Sequence, residues 1–145
     1  MRTPAILAAC LALIAATLAW ATAAALTATD AWVRVTPGAG VAAAYLTLHN
    51  GGTEPVSIVG VRSPLASMAM IHETRLIGTQ STMRAREELV VAPGATVRFA
   101  PGGLHVMLHD LSQTLKAGDE VPLVLLLKGG ATLAVTARVR PLASE

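Results

Sequence analysis

Two stretches of this chain carry sulfur or imidazole on every second residue. Met68, Met70 and His72 form one row, and His105, Met107 and His109 form the other. Residues spaced by two on a strand point to one side. The residues between them, Ala69, Ile71, Val106 and Leu108, are apolar and point the other way. The apolar alternates can therefore face a core and leave both Met/His rows on the opposite face. Thioether sulfur and imidazole nitrogen are soft to borderline donors. Together they suit Cu(I) far better than Mg²⁺ or Ca²⁺, which take oxygen. A thioether has no proton to lose before it binds a metal, and it cannot form a disulfide. Thiolates bind copper harder but oxidise outside the cytoplasm. Taken singly, a methionine is a common core filler, and His49 is read as a hydrogen-bonded structural residue. The recurrence of both donor types on two strand-like stretches is what points to a metal.

Short strands must position these rows. Turn signals recur at Pro37-Gly38, Asn50-Gly51-Gly52, Pro93-Gly94, Pro101-Gly102-Gly103, Lys116-Ala117-Gly118-Asp119 and Lys128-Gly129-Gly130. Glycine supplies positive φ and proline fixes φ, so each cluster reverses the chain. The runs between them are rich in β-branched residues: Trp32 to Thr36, Tyr45 to His49, Val56 to Val61, Thr96 to Phe99, Val121 to Leu127 and Leu133 to Val139. Strand-length runs at regular turn spacing predict an antiparallel sandwich or barrel. Alternation places Trp32 and Arg34 on one face with Val33 and Val35 on the other, and it groups Val135, Ala137 and Val139. The run from Val121 to Leu127 is apolar apart from Pro122, which suits a strand buried on both faces or a buried helix.

The N-terminus has a different purpose. Met1-Arg2, an apolar run from Ala5 to Trp20 and small residues through Ala25 describe a secretory signal peptide. The expected organisation is a leader over residues 1–25 and one domain over residues 26–145, with a disorder-prone end from Leu142 to Glu145. Leu7-Ala8-Ala9-Cys10 resembles a bacterial lipoprotein box, yet the apolar stretch before Cys10 is very short. An uncleaved anchor is a further alternative, since Ile6 to Leu26 is long enough to span a bilayer. Every version puts the domain in an oxidising, extracytoplasmic compartment.

Composition narrows the function. The chain has 145 residues, of which 53% are hydrophobic and only 3% aromatic, so the core is built from Leu, Val, Ile and Ala. A net charge of +2 without a Lys/Arg cluster argues against nucleic acid as a partner. The single cysteine, Cys10, excludes an internal disulfide framework and a four-cysteine zinc site. Cleavage would remove it, and a blue-copper electron-transfer centre needs a Cys thiolate. No G-x-S-x-G elbow, HExxH helix or phosphate-binding glycine loop is present, so no enzyme is expected. Glu73, beside His72, is read as a surface or supporting group for want of a nucleophile near it.

The spacing of the donors adds a resemblance. His72, Met83, His105 and Met107 form the string H-x10-M-x21-H-x-M. This resembles the signature of the periplasmic copper(I) chaperones of the PCuAC type. Asp30-Ala31-Trp32-Val33-Arg34, Ala43-Ala44-Tyr45-Leu46-Thr47-Leu48-His49-Asn50, Ile71-His72-Glu73-Thr74, Pro101-Gly102-Gly103-Leu104-His105-Val106-Met107-Leu108 and Gly118-Asp119-Glu120-Val121-Pro122-Leu123 are similar to segments of that family. The resemblance implies an all-β, cupredoxin-like Greek-key β-sandwich with one surface Cu(I) held by His72, Met83, His105 and Met107. It implies a periplasmic monomer that delivers copper to an accepting protein, a cytochrome oxidase subunit or a thioredoxin-like copper protein. Membrane contact would come only through that acceptor or an uncleaved leader. His109 stands where relatives often carry another Met, and the chain lacks the His/Met-rich tail of some members. The rival reading is an extracytoplasmic β-sandwich interaction module that binds no metal.

Overall fold

The computed structural model describes residues 25–141. The leader assigned to residues 1–25, but for Ala25, and the end from Leu142 to Glu145 lie outside the described residues, as does Cys10.

Ten strands occur among the described residues: β1 (Leu26–Thr36), β2 (Val41–Asn50), β3 (Val56–Arg62), β4 (Ala66–Ile77), β5 (Gln80–Ala85), β6 (Leu89–Val91), β7 (Thr96–Arg98), β8 (Leu104–Leu111), β9 (Glu120–Leu127) and β10 (Thr132–Val139). They hydrogen-bond in the order β5-β4-β8-β2-β1-β10-β9-β3-β6, with β7 also on β2. The non-sequential neighbours require Greek-key crossovers. All pairings are antiparallel except β1 with β10. The predicted strands are all present, and each predicted turn cluster joins two of them or closes a strand end.

β1 joins the two halves of the sandwich. Its pairing with β2 shifts between Thr29 and Trp32, where Asp30 takes φ 52. A bulge bends a strand and adds twist, and aspartate tolerates this conformation better than most residues. Beyond the bulge, Trp32 and Val33 pair with Arg138 and Val139 of β10. The sheet can thus curl over itself and enclose one apolar cluster. That cluster is mostly Leu, Val, Ile and Ala, with Phe99 and Tyr45 as its aromatic members. Val135, Ala137 and Val139 are buried together, as their alternation requires.

Two features differ from the sequence expectation. β9 is not covered on both faces. Val121, Leu123, Leu125 and Leu127 are buried, whereas Pro122 is exposed and Val124 and Leu126 are half-buried. An antiparallel strand with one face on the core needs only alternate apolar residues, and the others are tolerated on a partly covered outer face. The second feature is the β4–β5 hairpin, for which residues 78–85 gave no strand expectation. Ile77 pairs with Gln80 across a two-residue turn, and Gly78 adopts φ +63 there. Positive φ at the first turn residue favours glycine and matches the twist of the flanking strands.

Candidate metal centre

The candidate site lies on the outer face of the β5-β4-β8-β2 half. On β4, Ile71 is 3% exposed, and on β8, Val106 and Leu108 are fully buried. These anchors fix the register, because a one-residue slip would drive the Met/His rows into the core. The opposite faces then meet pairwise. Met68 stands across from His109, Met70 from Met107, and His72 from His105. The inverted pattern read from the sequence is therefore one continuous patch formed by two adjacent strands.

Three of the four residues implied by the resemblance are in direct proximity. His72 Nδ1 lies 3.3 Å from Met83 Sδ, so a thioether on β5 and an imidazole on β4 stand side by side. The His72 and His105 rings are 5.7 Å apart and edge to face. Met107 follows His105 by two residues on the same face of β8, half-buried opposite Met70. The His109 ring is 6.4 Å from that of His72, at the margin of the same cluster. His49 is not part of it. Its Nδ1 is 3.0 Å from Thr96 Oγ1, a structural contact between β2 and β7. Among the described residues, no group of three or more His, Cys, Asp or Glu is placed to hold a metal. An ion bound at this patch would need the thioethers as well as the imidazoles.

The histidines differ in how firmly they are held. His105 is 5% exposed, and its Nδ1 lies 3.1 Å from the Gly103 carbonyl. An N–H donated to that carbonyl leaves Nε2 with the free lone pair, the usual way in which a ligand tautomer is fixed. The His105 ring also neighbours Tyr45 at 6.5 Å, and Tyr45 packs on Trp32 at 4.5 Å. Burial pushes the Tyr45 phenol above its ordinary range, against a smaller opposing pull from Arg34. Gly103 and Tyr45 were not singled out as site residues in the sequence. A glycine two residues before a candidate ligand, in a turn, is the available signal for the first.

Met83 and Met68 are about half exposed, at 53% and 50%. The site is therefore open to solvent on the thioether side and closed on the His105 side. Glu73, next to His72 on β4, lies on the alternate face from the cluster. It pairs with Arg75 at 3.0 Å and Arg86 at 3.1 Å on the opposite face of the hairpin, in keeping with a surface role.

Burial, followed by the charges of His105 and His109, lowers the pKa of His72. A lowered pKa keeps the imidazole lone pair available in mild acid. It also sets a sign for stability. Between the lowered folded value and the ordinary 6.5 or so, the unfolded chain binds a proton that the folded chain does not. The metal-free protein should therefore lose stability as the pH falls below about 6.5, until His72 protonates in the folded state. Urea midpoints measured from pH 7.5 to 5 should show this decline, and a smaller one in His72→Gln. Equal slopes in the two proteins would remove His72 as the cause.

The LpqE-like family model, whose description names a lipoprotein, matches residues 26–139. A protein of Leifsonia xyli subsp. xyli named as a lipoprotein, Lxx21020, is 33% identical over 111 residues, covering 76% of this chain and 66% of that protein. The chain thus spans just under two-thirds of that relative. Among solved structures, apo-DR1885 from Deinococcus radiodurans is 33% identical, with a TM-score of 0.64, covering 99% of this chain and 97% of that one. Its Cu(I) form is 32% identical, with the same TM-score of 0.64, over 86% of this chain and 87% of that one. The apo PCuAC domain of PmoF1 has a TM-score of 0.67 at 24% identity, covering 81% of this chain and 95% of that domain, a likeness of fold. The all-β sandwich described above is the PCuAC-domain fold.

Proposed function

The chain belongs to the LpqE-like family, and on that premise we propose that it is a Cu(I)-binding metallochaperone whose cargo is held by His72, Met83, His105 and Met107. One observation carries the reading. Strands β4, β5 and β8 bring His72, His105 and Met83 together in a cluster open to solvent on the Met83 side, with the His72 nitrogen 3.3 Å from the Met83 sulfur. The Cu(I) form of the related DR1885 supports the choice of ion, as does the softness of the donors.

The division of labour follows from burial. His105 is fixed by Gly103 and by packing, so it anchors the ion on the closed side. His72 supplies the second imidazole. The thioethers favour the reduced ion, and the exposed Met83 is the ligand most easily exchanged for a donor on an acceptor. Neutral thioethers hold Cu(I) without the grip of a thiolate, which suits hand-over. The acceptor is a copper-accepting protein, a cytochrome oxidase subunit or a thioredoxin-like copper protein, with delivery toward the copper centres of respiratory oxidase. The lipoprotein names of the family and of Lxx21020 support an exported, cell-envelope protein. The periplasm is the compartment we assign.

The test is an anaerobic Cu(I) titration against a chromogenic chelator. One equivalent of Cu(I) should bind to the wild type, and the His72→Ala/Met107→Ala double variant should lose it. Binding unchanged in the double variant would remove the site. No binding by the wild type would favour a metal-free interaction module.

A further inference from the structure

The two ends of the main strand path are built differently. One edge is β6, which has three residues and is followed closely by Pro93. Short edge strands and nearby prolines block unwanted strand pairing. The other edge is β5, which has six residues, Gln80–Ala85, and no proline. It ends the sheet among the described residues, so it presents a row of main-chain donors and acceptors to solvent. Such an edge is a template for an added strand.

This open edge is also the metal edge. Side chains alternate along β5, so Met83 points to the His72 face while Thr82 and Arg84 point to the other. On that other face Arg84 stands across from Glu73, and Thr82 across from Arg75. Arg75 and Arg86 already pair with Glu73. Three arginines against one glutamate leave this face at +2, and Arg84 makes no ion pair among the described residues. Glu88, beyond the end of β5, is engaged by Lys128 at 3.3 Å. Leu76 and Ile77, at the hairpin tip, are 74% and 64% exposed.

Resting on the copper reading, we infer that β5 is the docking strand for the acceptor. The occupant is an extended acceptor segment that adds to this edge with a soft donor, a thioether or thiolate, opposite Met83. Acidic residues on either side of that donor face Thr82 and Arg84. Residues opposite one another on the same face of a strand pair are close neighbours, so the incoming donor is delivered beside the ion. Transfer is ligand exchange: each bond from the ion to the acceptor replaces one to this chain, and Cu(I) stays Cu(I) throughout. A second copy of this chain fits the edge poorly, because β5–β5 pairing would bring two sets of Arg75, Arg84 and Arg86 together.

The experiment uses the Cu(I)-loaded full chain and a short synthetic peptide with the order Thr-Glu-Met-Glu-Thr. Controls are the Thr-Lys-Met-Lys-Thr peptide and the acidic peptide N-methylated at alternate residues. The acidic peptide should slow amide exchange in β5 and bind about tenfold more tightly than the lysine peptide at low salt, because the residue opposite Arg84 changes from an attractive to a repulsive partner. Added salt should narrow that difference. N-methylation in the pairing register should abolish both effects. Arg84→Glu should reverse the charge preference without changing Cu(I) affinity by chelator competition. Equal binding of both peptides, protection away from β5, or β5 already protected by self-association would each overturn the docking strand. The competition titration separates the two failures: loss of Cu(I) binding by the wild type overturns the function, whereas normal Cu(I) binding without β5 protection overturns only this inference.

Discussion

Replacing His105 with alanine is expected to weaken Cu(I) binding by more than about 100-fold, a larger loss than the same change at Met83. Losing a hydrogen-bonding partner of a metal ligand already costs ~10–100-fold in affinity, so losing the ligand itself should exceed that range. His105 should stand at the top of the series because its ring is set before the ion arrives. It is buried, and the Gly103 carbonyl 3.1 Å from Nδ1 leaves the Nε2 lone pair for the ion. Met83 sits on an edge strand with half its surface in water, and its side chain must be ordered when the ion binds. Competition titrations of His105→Ala, His72→Ala, Met107→Ala and Met83→Ala give the order directly. A Met83→Ala loss equal to that of His105→Ala would contradict the anchor-and-exchange division. Urea midpoints of the metal-free variants show whether each one is still folded.

The second large effect separates neighbours on one strand. Leu108→Ala should lower stability by about 2–5 kcal/mol, the usual range for a fully buried leucine that leaves a partly relaxed cavity. Met107→Ala, one residue away on the outer face, should cost much less in urea but markedly reduce Cu(I) affinity. Both residues lie on β8, where Leu108 is fully buried and Met107 half-buried. Denaturant midpoints and Cu(I) titrations on the two variants should therefore give opposite rankings. If Met107→Ala proved the more destabilising change and left affinity intact, Met107 would be a packing residue and not a ligand.

Much of this was legible in the chain itself. The period-2 rows at Met68 to His72 and His105 to His109 needed only strand geometry to predict a shared outer face, and the buried Ile71, Val106 and Leu108 show why the rows cannot turn inward. The turn clusters were legible because glycine and proline act locally. β5 was not. Its sequence, Gln80 to Ala85, has one hydrophobic-sized side chain other than alanine, Met83, so no alternating apolar signal marks it. The single cue was Gly78, which permits a tight turn. Met83 consequently entered only through the family-like spacing. The tautomer-fixing contact from Gly103 was also hidden, since a main-chain carbonyl leaves no trace in residue type. The apparent double burial of Val121 to Leu127 misled for the opposite reason: composition records apolarity but not which face is covered.

On the proposed function, thioethers and imidazoles from three strands hold one cuprous ion. X-ray absorption of the Cu(I)-loaded protein counts those neighbours. Two nitrogen and two sulfur scatterers are expected, with one sulfur lost in Met83→Ala. A shell of nitrogen and oxygen alone, unchanged by that substitution, would contradict it.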